Sequence, residues 1–123
     1  MVDPYASAFV KKPVNRPPLI NIGTFVRTWA VDTLVQRFLE HEPSKPKQIL
    51  SLGAGTDTRF FRLCDALEGP QSNLQRYVEL DYAKTTSRKA QTLKRQKVFA
   101  KHLSDATIGA FASQTAALLA DET

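Results

Sequence analysis

The chain has 123 residues, which is a typical length for one modest domain. About a quarter of the residues are Leu, Ile, Val or Phe, above the roughly 20% below which charged chains tend to stay disordered, so a core can form. No apolar run approaches the ~18 residues of a membrane helix, and the first residues lack the build of a secretory signal. The sequence therefore predicts a soluble, cytoplasmic protein with no membrane partner. The single cysteine, Cys64, excludes an internal disulfide and argues against a Cys-rich zinc site.

The formal net charge of +5 is distributed unevenly along the chain. Residues 83–103 contain seven Lys or Arg side chains and no acidic one, so the rest of the chain is slightly acidic. Because these cations alternate with Ala, Leu and Thr, the pattern favours the solvated face of an ordinary amphipathic helix. A basic helix that binds nucleic acid or an acidic protein surface is the alternative function.

The first forty residues predict two helices separated by a loop. Asp3 followed by proline is typical of a helix start, and Tyr5 and Phe9 would share one face of a short helix. Three prolines within residues 11–19 predict an irregular entry loop. From Ile22 to Glu40 the apolar residues recur with a period of 3.6 residues, which predicts a long helix.

The next sixty residues alternate between strand and helix signals. This order is typical of an α/β fold with a parallel sheet and crossover helices. Two parallel strands cannot cover both faces of a sheet, so the chain is expected to hold only part of such a fold. An Ala-rich tail over residues 104–123 is expected to be a weak helix or disordered. The predicted elements are a strand at Gln48–Leu52, a helix at Thr58–Leu67, a loop at Gly69–Asn73, a strand at Arg76–Asp81 and a helix at Thr85–Lys101.

The most informative segment is the Gly53-Ala54-Gly55 turn between the first strand and its helix. Glycines at such a turn let a ligand approach the backbone closely, and the amide groups at the helix start can meet polar ligand atoms. The third glycine of the dinucleotide fingerprint is replaced by Thr58, and the ATPase-type phosphate loop is absent from the sequence. A ligand site and a plain strand-to-helix turn therefore both stay open on this segment alone.

Asp81 strengthens the case for a ligand at this turn. It ends the second predicted strand, and ligands of parallel sheets bind at the carboxyl ends of the strands. An acid in this place can accept hydrogen bonds from ribose hydroxyls. Its separation from Gly53 is somewhat longer than the ~20 residues usual for dinucleotide-binding folds. The alternative role is to cap the helix that follows.

Arg27 is unusual because it shares a helical stripe with Val31, Leu34 and Phe38. A cation at the base of an apolar stripe needs a partner. The side chain can reach water or pair with a structural carboxylate. Alternatively, its guanidinium can hold a ligand carboxylate in a bidentate fork. The residues do not assemble a Ser-His-Asp or metal constellation, and nothing marks Cys64 as a nucleophile.

Three segments in this order and spacing resemble the front half of the leucine carboxyl methyltransferases, and they read INIGTFVRTWAVD, ILSLGAGTDTRFFRL and RYVELDYAKTTSRK. The resemblance covers about Asp3 to Lys101 and implies that residues 1–103 are the N-terminal part of a Rossmann-like methyltransferase domain. Members of that family use S-adenosylmethionine to methylate the C-terminal leucine carboxylate of the protein phosphatase 2A catalytic subunit. That subunit is thus the implied partner.

The resemblance also implies roles for individual residues. Arg27 would contact the methionine carboxylate of S-adenosylmethionine, Gly53, Ala54 and Gly55 would lie against the cofactor, and Asp81 would bind the ribose hydroxyls. Related bacterial methyltransferases of small substrates share the Gly-Ala-Gly-x-Asp-Thr-Arg signature. Because family members continue with further strands, adenine contacts and acceptor-site residues, the resemblance implies an incomplete and inactive piece. No catalytic side chain is expected, because the acceptor carboxylate, with a pKa near ~3.5, is already an anion at neutral pH.

Overall fold

The computed structural model describes residues 3–12, 14–67 and 73–102. Its two strands pair in parallel and are joined by a helical crossover, which confirms the predicted partial α/β fold. In that described part, no helix is long and apolar enough to cross a membrane. The elements are a first 3-10 helix at Ala6–Phe9, α1 at Pro18–Glu40, β1 at Lys47–Leu52, α2 at Arg59–Ala66, β2 at Leu74–Leu80, α3 at Ala83–Arg95 and a second 3-10 helix at Lys97–His102.

Two predicted boundaries were wrong by more than two residues. Helix α1 begins at Pro18, four residues before Ile22, because a proline in the first helical turn loses no hydrogen bond that the helix could have made. The predicted helix at Thr85–Lys101 is divided, since Gln96 has an extended backbone between α3 and the second 3-10 helix. The predicted tail at 104–123 and all but the last residue of the predicted 69–73 loop lie outside the described residues.

The sheet has one covered face and one open face. Ile49 pairs with Tyr77, and the Tyr77 ring lies 5.4 Å from the ring of Phe60 on α2. The opposite face carries Leu50 and Leu52, and Leu52 is 72% exposed. The described residues therefore cover a single face of the sheet, as expected for two parallel strands with few helices.

The core lies beneath the covered face and joins both ends of the described chain. Tyr5, Phe61 and Phe99 are each at most 2% exposed and form its centre. The rings of Phe61 and Phe99 are 4.6 Å apart between centroids, and Tyr5 lies 5.5 Å from each. The Tyr5 hydroxyl donates to Asp65 and lies 2.8 Å from Nε2 of His102. Burial, together with the hydrogen bond to Asp65, raises the pKa of Tyr5, so the hydroxyl stays protonated.

Helix α1 contributes little to this core. The one buried residue of α1 is Leu39, near its C-terminal end. The apolar stripe that includes Val31, Leu34 and Phe38 is exposed within the described structure, and Trp29 is 58% exposed. Apolar packing therefore contributes little to holding α1 against the described part of the fold.

Candidate functional site

The glycine turn is attached to the end of β2 by backbone hydrogen bonds. The amide groups of Gly53 and Ala54 both donate to the carbonyl of Leu80, at 2.8 and 3.2 Å. The amide of Asp57 then donates to the carbonyl of Ala54 at 2.8 Å and closes the turn. As a result, the turn after β1 lies directly beside the first residue after β2.

The two glycines adopt a backbone conformation that other residues rarely take. The φ angles of Gly53 and Gly55 are 63° and 51°. A Cβ atom at Gly53 would meet nothing within 4 Å, and one at Gly55 would lie 3.9 Å from Oδ2 of Asp81. The turn thus needs glycine for its backbone, and the space around Gly53 is open to a ligand. No described atom of the protein would clash with a Cβ atom at Gly53.

Replacing Gly53 by alanine is expected to lower the free energy of unfolding by about 1–2 kcal/mol, because an L-residue is strained at positive φ. Gly23 on α1 is a matched control, since a Cβ atom added there would also meet nothing within 4 Å and its φ is not positive. Gly23→Ala should instead stabilise the protein by about 0.8–1.0 kcal/mol, the difference in helix propensity. Denaturant titration measures both changes. Equal effects of the two substitutions would contradict the role assigned to the turn.

The carboxylate of Asp81 lies against this turn. Its Oδ2 accepts the amide hydrogen of Gly55 at 2.8 Å, and its Oδ1 accepts that of Tyr82 at 2.7 Å. Helix α3 begins at Ala83, and no side chain among the described residues caps its first turn. The structure therefore brings Gly55 and Asp81 together, and the side chain does not serve as the helix cap that the sequence left open. Each carboxylate oxygen keeps acceptor capacity for a further hydrogen bond.

Arg27 lies on the exposed side of α1. Within the described residues it forms no hydrogen bond or ion pair, so the structure supplies no structural carboxylate for it. No contact in that part of the chain joins Arg27 to Gly55 or Asp81. Its predicted role as a ligand contact stays a prediction.

A charged network surrounds the base of the turn. Asp32 on α1 accepts a hydrogen bond from Nε of Arg59 at 2.7 Å, and it also pairs with Arg62. Arg59 in turn donates to Oδ2 of Asp57 at 2.6 Å. Burial raises the pKa of Asp32, but hydrogen bonds from Arg62 and Arg59 outweigh it and hold the pKa below its usual value. Asp32 is therefore ionised at neutral pH.

A second ion pair lies behind the turn. Nζ of Lys89 on α3 lies 2.5 Å from Oε2 of Glu79 on β2 and donates to the carbonyl of Asp57 at 2.7 Å. The side chains of Lys89 and Glu79 are 8% and 12% exposed. Burial raises the pKa of Glu79, and the charge of Lys89 opposes that shift only in part. Lys89 thus fastens the turn to both β2 and α3.

The chain matches the family model described as leucine carboxyl methyltransferase over residues 1–120. It belongs to the leucine carboxyl methyltransferase family. The chain is 47% identical over 103 residues to leucine carboxyl methyltransferase 1 of Cryptococcus neoformans var. neoformans, covering 81% of this chain and 28% of that protein. It is 52% identical over 90 residues to the leucine carboxyl methyltransferase 1 homolog of Arabidopsis thaliana, covering 73% and 26%.

The same region is also similar to a differently named protein. The tRNA wybutosine-synthesizing protein 4 of Emericella nidulans is 38% identical over 101 residues, which cover 82% of this chain and 9% of that protein. This leucine carboxyl methyltransferase family member thus spans less than a third of the length of each of these relatives.

Sequence reasoning about this family member missed the two ion networks. Asp57 and Arg59 belong to the Asp-Thr-Arg part of the glycine segment, and Asp32 ends the INIGTFVRTWAVD segment, but no role was predicted for any of them. The signal available in the sequence was Asp32, an acid on a helix rich in apolar residues, because a charge in such surroundings needs a partner. Lys89 was counted with the basic segment, yet it is buried and paired with Glu79.

Other candidate chemistry is limited in the described residues. They include no group of three His, Cys, Asp or Glu side chains that could hold a metal. Burial, with a smaller contribution from the charge of Asp65, raises the pKa of the Cys64 thiol, so the thiolate is disfavoured. In the basic segment, Lys101 pairs with Asp65. The remaining exposed cations are Lys84, Arg88, Lys94, Arg95 and Lys97.

Proposed function

We propose that this chain supplies the S-adenosylmethionine-binding part of a methyltransferase that esterifies a C-terminal leucine carboxylate, namely that of the protein phosphatase 2A catalytic subunit. The observation that carries this proposal is the hydrogen bond between the Asp81 carboxylate and the Gly55 amide. It joins an acid suited to ribose hydroxyls to an open glycine turn at neighbouring strand ends. Membership of the leucine carboxyl methyltransferase family supports the reaction class and the acceptor.

The described residues fit an adenosyl ligand in two respects. The space beside Gly53 is open, which permits close approach to the backbone. Asp81 is held by two amide groups yet keeps acceptor capacity toward the open side of the turn. Arg27 would complete the site by holding the ligand's carboxylate in a bidentate fork.

When bound, S-adenosylmethionine would supply a methyl group on a cationic sulfur; the sulfur would keep the C–S electron pair while the acceptor oxygen donates the pair of the new C–O bond. The chain's task is then to bind and orient the reactants. An acceptor carboxylate is ionised at neutral pH, so no side chain needs to remove a proton. Holding two reactants in near-attack geometry can lower the barrier by roughly 7–11 kcal/mol. Asp81, the glycine turn and Arg27 would provide that orientation on the cofactor side.

Asp81→Ala is expected to weaken S-adenosylmethionine binding by about 10- to 100-fold, because the variant loses charge-assisted hydrogen bonds to the ribose. Isothermal titration calorimetry measures the dissociation constant. Glu40→Ala is the matched control, since it removes one carboxylate from an exposed position that bonds only to Gln36 among the described contacts. Unchanged affinity of Asp81→Ala would contradict the ribose assignment.

The acceptor can be tested separately with labelled methyl groups. In a chimera in which this chain replaces the matching segment of a longer family member, a peptide with a free C-terminal leucine should form a labelled methyl ester from S-adenosylmethionine, whereas the same peptide with a C-terminal amide should not. The amide lacks the anionic oxygen that attacks the methyl carbon. Equal labelling of both peptides would contradict a carboxylate acceptor.

The basic-helix alternative is supported by the five exposed cations of α3 and the residues after it. Binding driven by phosphate contacts weakens steeply with salt, with a log–log slope close to the number of contacts. Binding of S-adenosylmethionine should respond far less to the same salt change. Tight, salt-sensitive binding to a nucleic acid together with no binding of the cofactor would favour the alternative.

A further inference from the structure

We propose that Asp32 is a positioning residue, which grips Arg59 and Arg62 on α2 and thereby fixes α1 so that Arg27 can meet the cofactor's carboxylate. This inference rests on the proposed function, because it assigns a target to Arg27. It concerns a residue whose effect on the ligand is transmitted through another side chain. Among the described contacts, the hydrogen bonds of the Asp32 carboxylate go to Arg59 and Arg62 and not to the glycine turn.

The grip is multidentate and partly buried. Oδ1 of Asp32 accepts from Nε of Arg59 at 2.7 Å and from a terminal nitrogen of Arg62 at 3.3 Å, and Oδ2 accepts from the other terminal nitrogen of Arg62. The three side chains are between 14% and 22% exposed. Shielded, bidentate Arg–carboxylate contacts hold a fixed geometry better than isolated surface pairs do.

The grip also reaches the glycine turn. Arg59 bridges Asp32 and Asp57, and Asp57 lies two residues beyond Gly55. The backbone amide of Arg59 donates to Oδ1 of Asp57 at 3.1 Å, which holds the same carboxylate from a second side. The position of α1 is thus set relative to the turn that is proposed to receive the cofactor.

Among the described contacts, the other side-chain attachments of α1 to the fold lie at its C-terminal end. Nζ of Lys47 donates to the carbonyl of Leu39 at 2.9 Å, and Nδ2 of Asn73 donates to the same carbonyl at 2.8 Å. Lys47 also lies 5.3 Å from the centroid of the Phe38 ring. Because the apolar stripe of α1 is exposed in the described structure, it does not fix the other half of the helix.

These attachments make α1 a lever with Arg27 on its free side. Twelve residues separate Arg27 from Leu39, which corresponds to about 18 Å along the helix axis. A tilt of about 10° around the C-terminal attachment would move Arg27 by about 3 Å. A bound group must be held within about 0.5 Å of its productive position, so such a tilt would remove a bidentate contact. Asp32 lies between the two residues and blocks that tilt.

Asp32 does not compete with the ligand for Arg27. Five residues separate them, so their side chains leave the helix about 140° apart around its axis. Asp32 points to α2, where Arg59 and Arg62 hold it, whereas Arg27 is exposed. Loss of the Asp32 charge should therefore affect Arg27 through helix position and not through a direct contact.

The test compares two ligands in a double-mutant cycle. Asp32→Asn should weaken binding of S-adenosylmethionine by about 10-fold, the loss of one charge-assisted contact at Arg27. The affinity for 5′-methylthioadenosine, which lacks the carboxylate, should change by less than about 2-fold. Arg27→Ala should show the same selectivity, and adding Asp32→Asn to it should cause no further loss. Glu40→Gln, an exposed substitution on α1, is the control.

A structural role alone predicts a different result. A purely structural role would weaken the binding of both ligands equally, or it would give losses of affinity that add to those of Arg27→Ala. Either result would overturn the proposal.

A spin-label pair provides a readout that needs no ligand, with Thr24→Cys on α1 and Ala66→Cys on α2 in a Cys64→Ala background. Asp32→Asn should broaden their distance distribution, and an unchanged distribution would overturn the proposal. If the parent chain binds neither ligand, the proposed function fails, while the distance measurement still decides whether Asp32 fixes α1.

Discussion

Lys89→Ala is expected to lower the free energy of unfolding by about 3–5 kcal/mol, the usual cost of removing one partner of a buried ion pair. The substitution removes the ammonium group that lies against the buried Glu79 carboxylate. It also removes the donor to the carbonyl of Asp57, which Lys89 holds at 2.7 Å. For a small domain with a total stability of about 5–15 kcal/mol, this loss is a large fraction.

The pH dependence of this variant identifies the cause. Burial already raises the pKa of Glu79 in the parent protein, and removal of Lys89 takes away the charge that opposes this shift. An acid with a raised folded-state pKa binds a proton more tightly in the folded state. Its contribution is therefore favourable below the unfolded-state pKa of about 4.3 and is lost as pH rises through the folded-state value. The difference in stability between parent and variant should shrink as pH falls toward about 4.

Lys84→Ala is the matched control, because Lys84 is an exposed lysine on the same helix. Its effect should stay within about 0.5 kcal/mol and should not depend on pH. The double variant Lys89→Met with Glu79→Gln should recover most of the lost stability, since neutral residues replace both charges. Denaturant titration at several pH values measures each difference. A pH-independent loss in Lys89→Ala would contradict the buried ion pair as its cause.

The sequence predicted the elements that depend on local signals. Hydrophobic periodicity located α1, and short β-rich runs before turn residues located both strands. The errors occurred where local signals conflict. Pro18 reads as a helix breaker but is tolerated in the first turn, and Gln96 ends α3 although the basic pattern continues beyond it. That interruption follows from tertiary packing, because Phe99 is fully buried in the core.

The sequence predicted the part of the candidate site that lies at the ends of the two strands. Gly55 and Asp81 were expected at neighbouring strand ends, and the structure joins them by a hydrogen bond. The ion networks were not predictable in detail, because their members lie on separate elements. Asp32 and Arg62 are 30 residues apart in sequence, and only the placement of α1 beside α2 in the folded chain brings them together. Charge counts cannot distinguish a buried lysine such as Lys89 from exposed neighbours.

The exposure of the apolar face of α1 could not be predicted from the sequence. Periodicity predicts a stripe that should be buried, yet residues such as Phe25 and Leu34 are exposed in the described part of the chain. Leu50 and Leu52 on the open sheet face share that property. The chain spans less than a third of the length of the two leucine carboxyl methyltransferase relatives. Periodicity therefore predicts which residues share a face, and it does not predict whether the described residues cover that face.

Phe61→Ala is expected to destabilise the protein by about 3–5 kcal/mol, because it removes the central ring of the core and leaves a cavity. Phe61 is 2% exposed, and its ring lies 4.6 Å from Phe99 and 5.5 Å from Tyr5 between centroids. These three residues come from α2 and from both ends of the described chain. The cavity would therefore loosen the contact that joins those ends.

Phe38→Ala is the control for Phe61, since Phe38 is the same residue type but is 46% exposed on α1. Phe38→Ala should lower the free energy of unfolding much less, because less buried apolar area is lost and no closed cavity forms. Phe61→Leu, which fills part of the cavity, should fall between them and provides a measurable variant if alanine prevents folding. The denaturant midpoint should fall in that order with an unchanged slope. Equal losses for Phe38→Ala and Phe61→Ala would mean that the aromatic cluster is not the centre of the core, because burial would then no longer determine the cost.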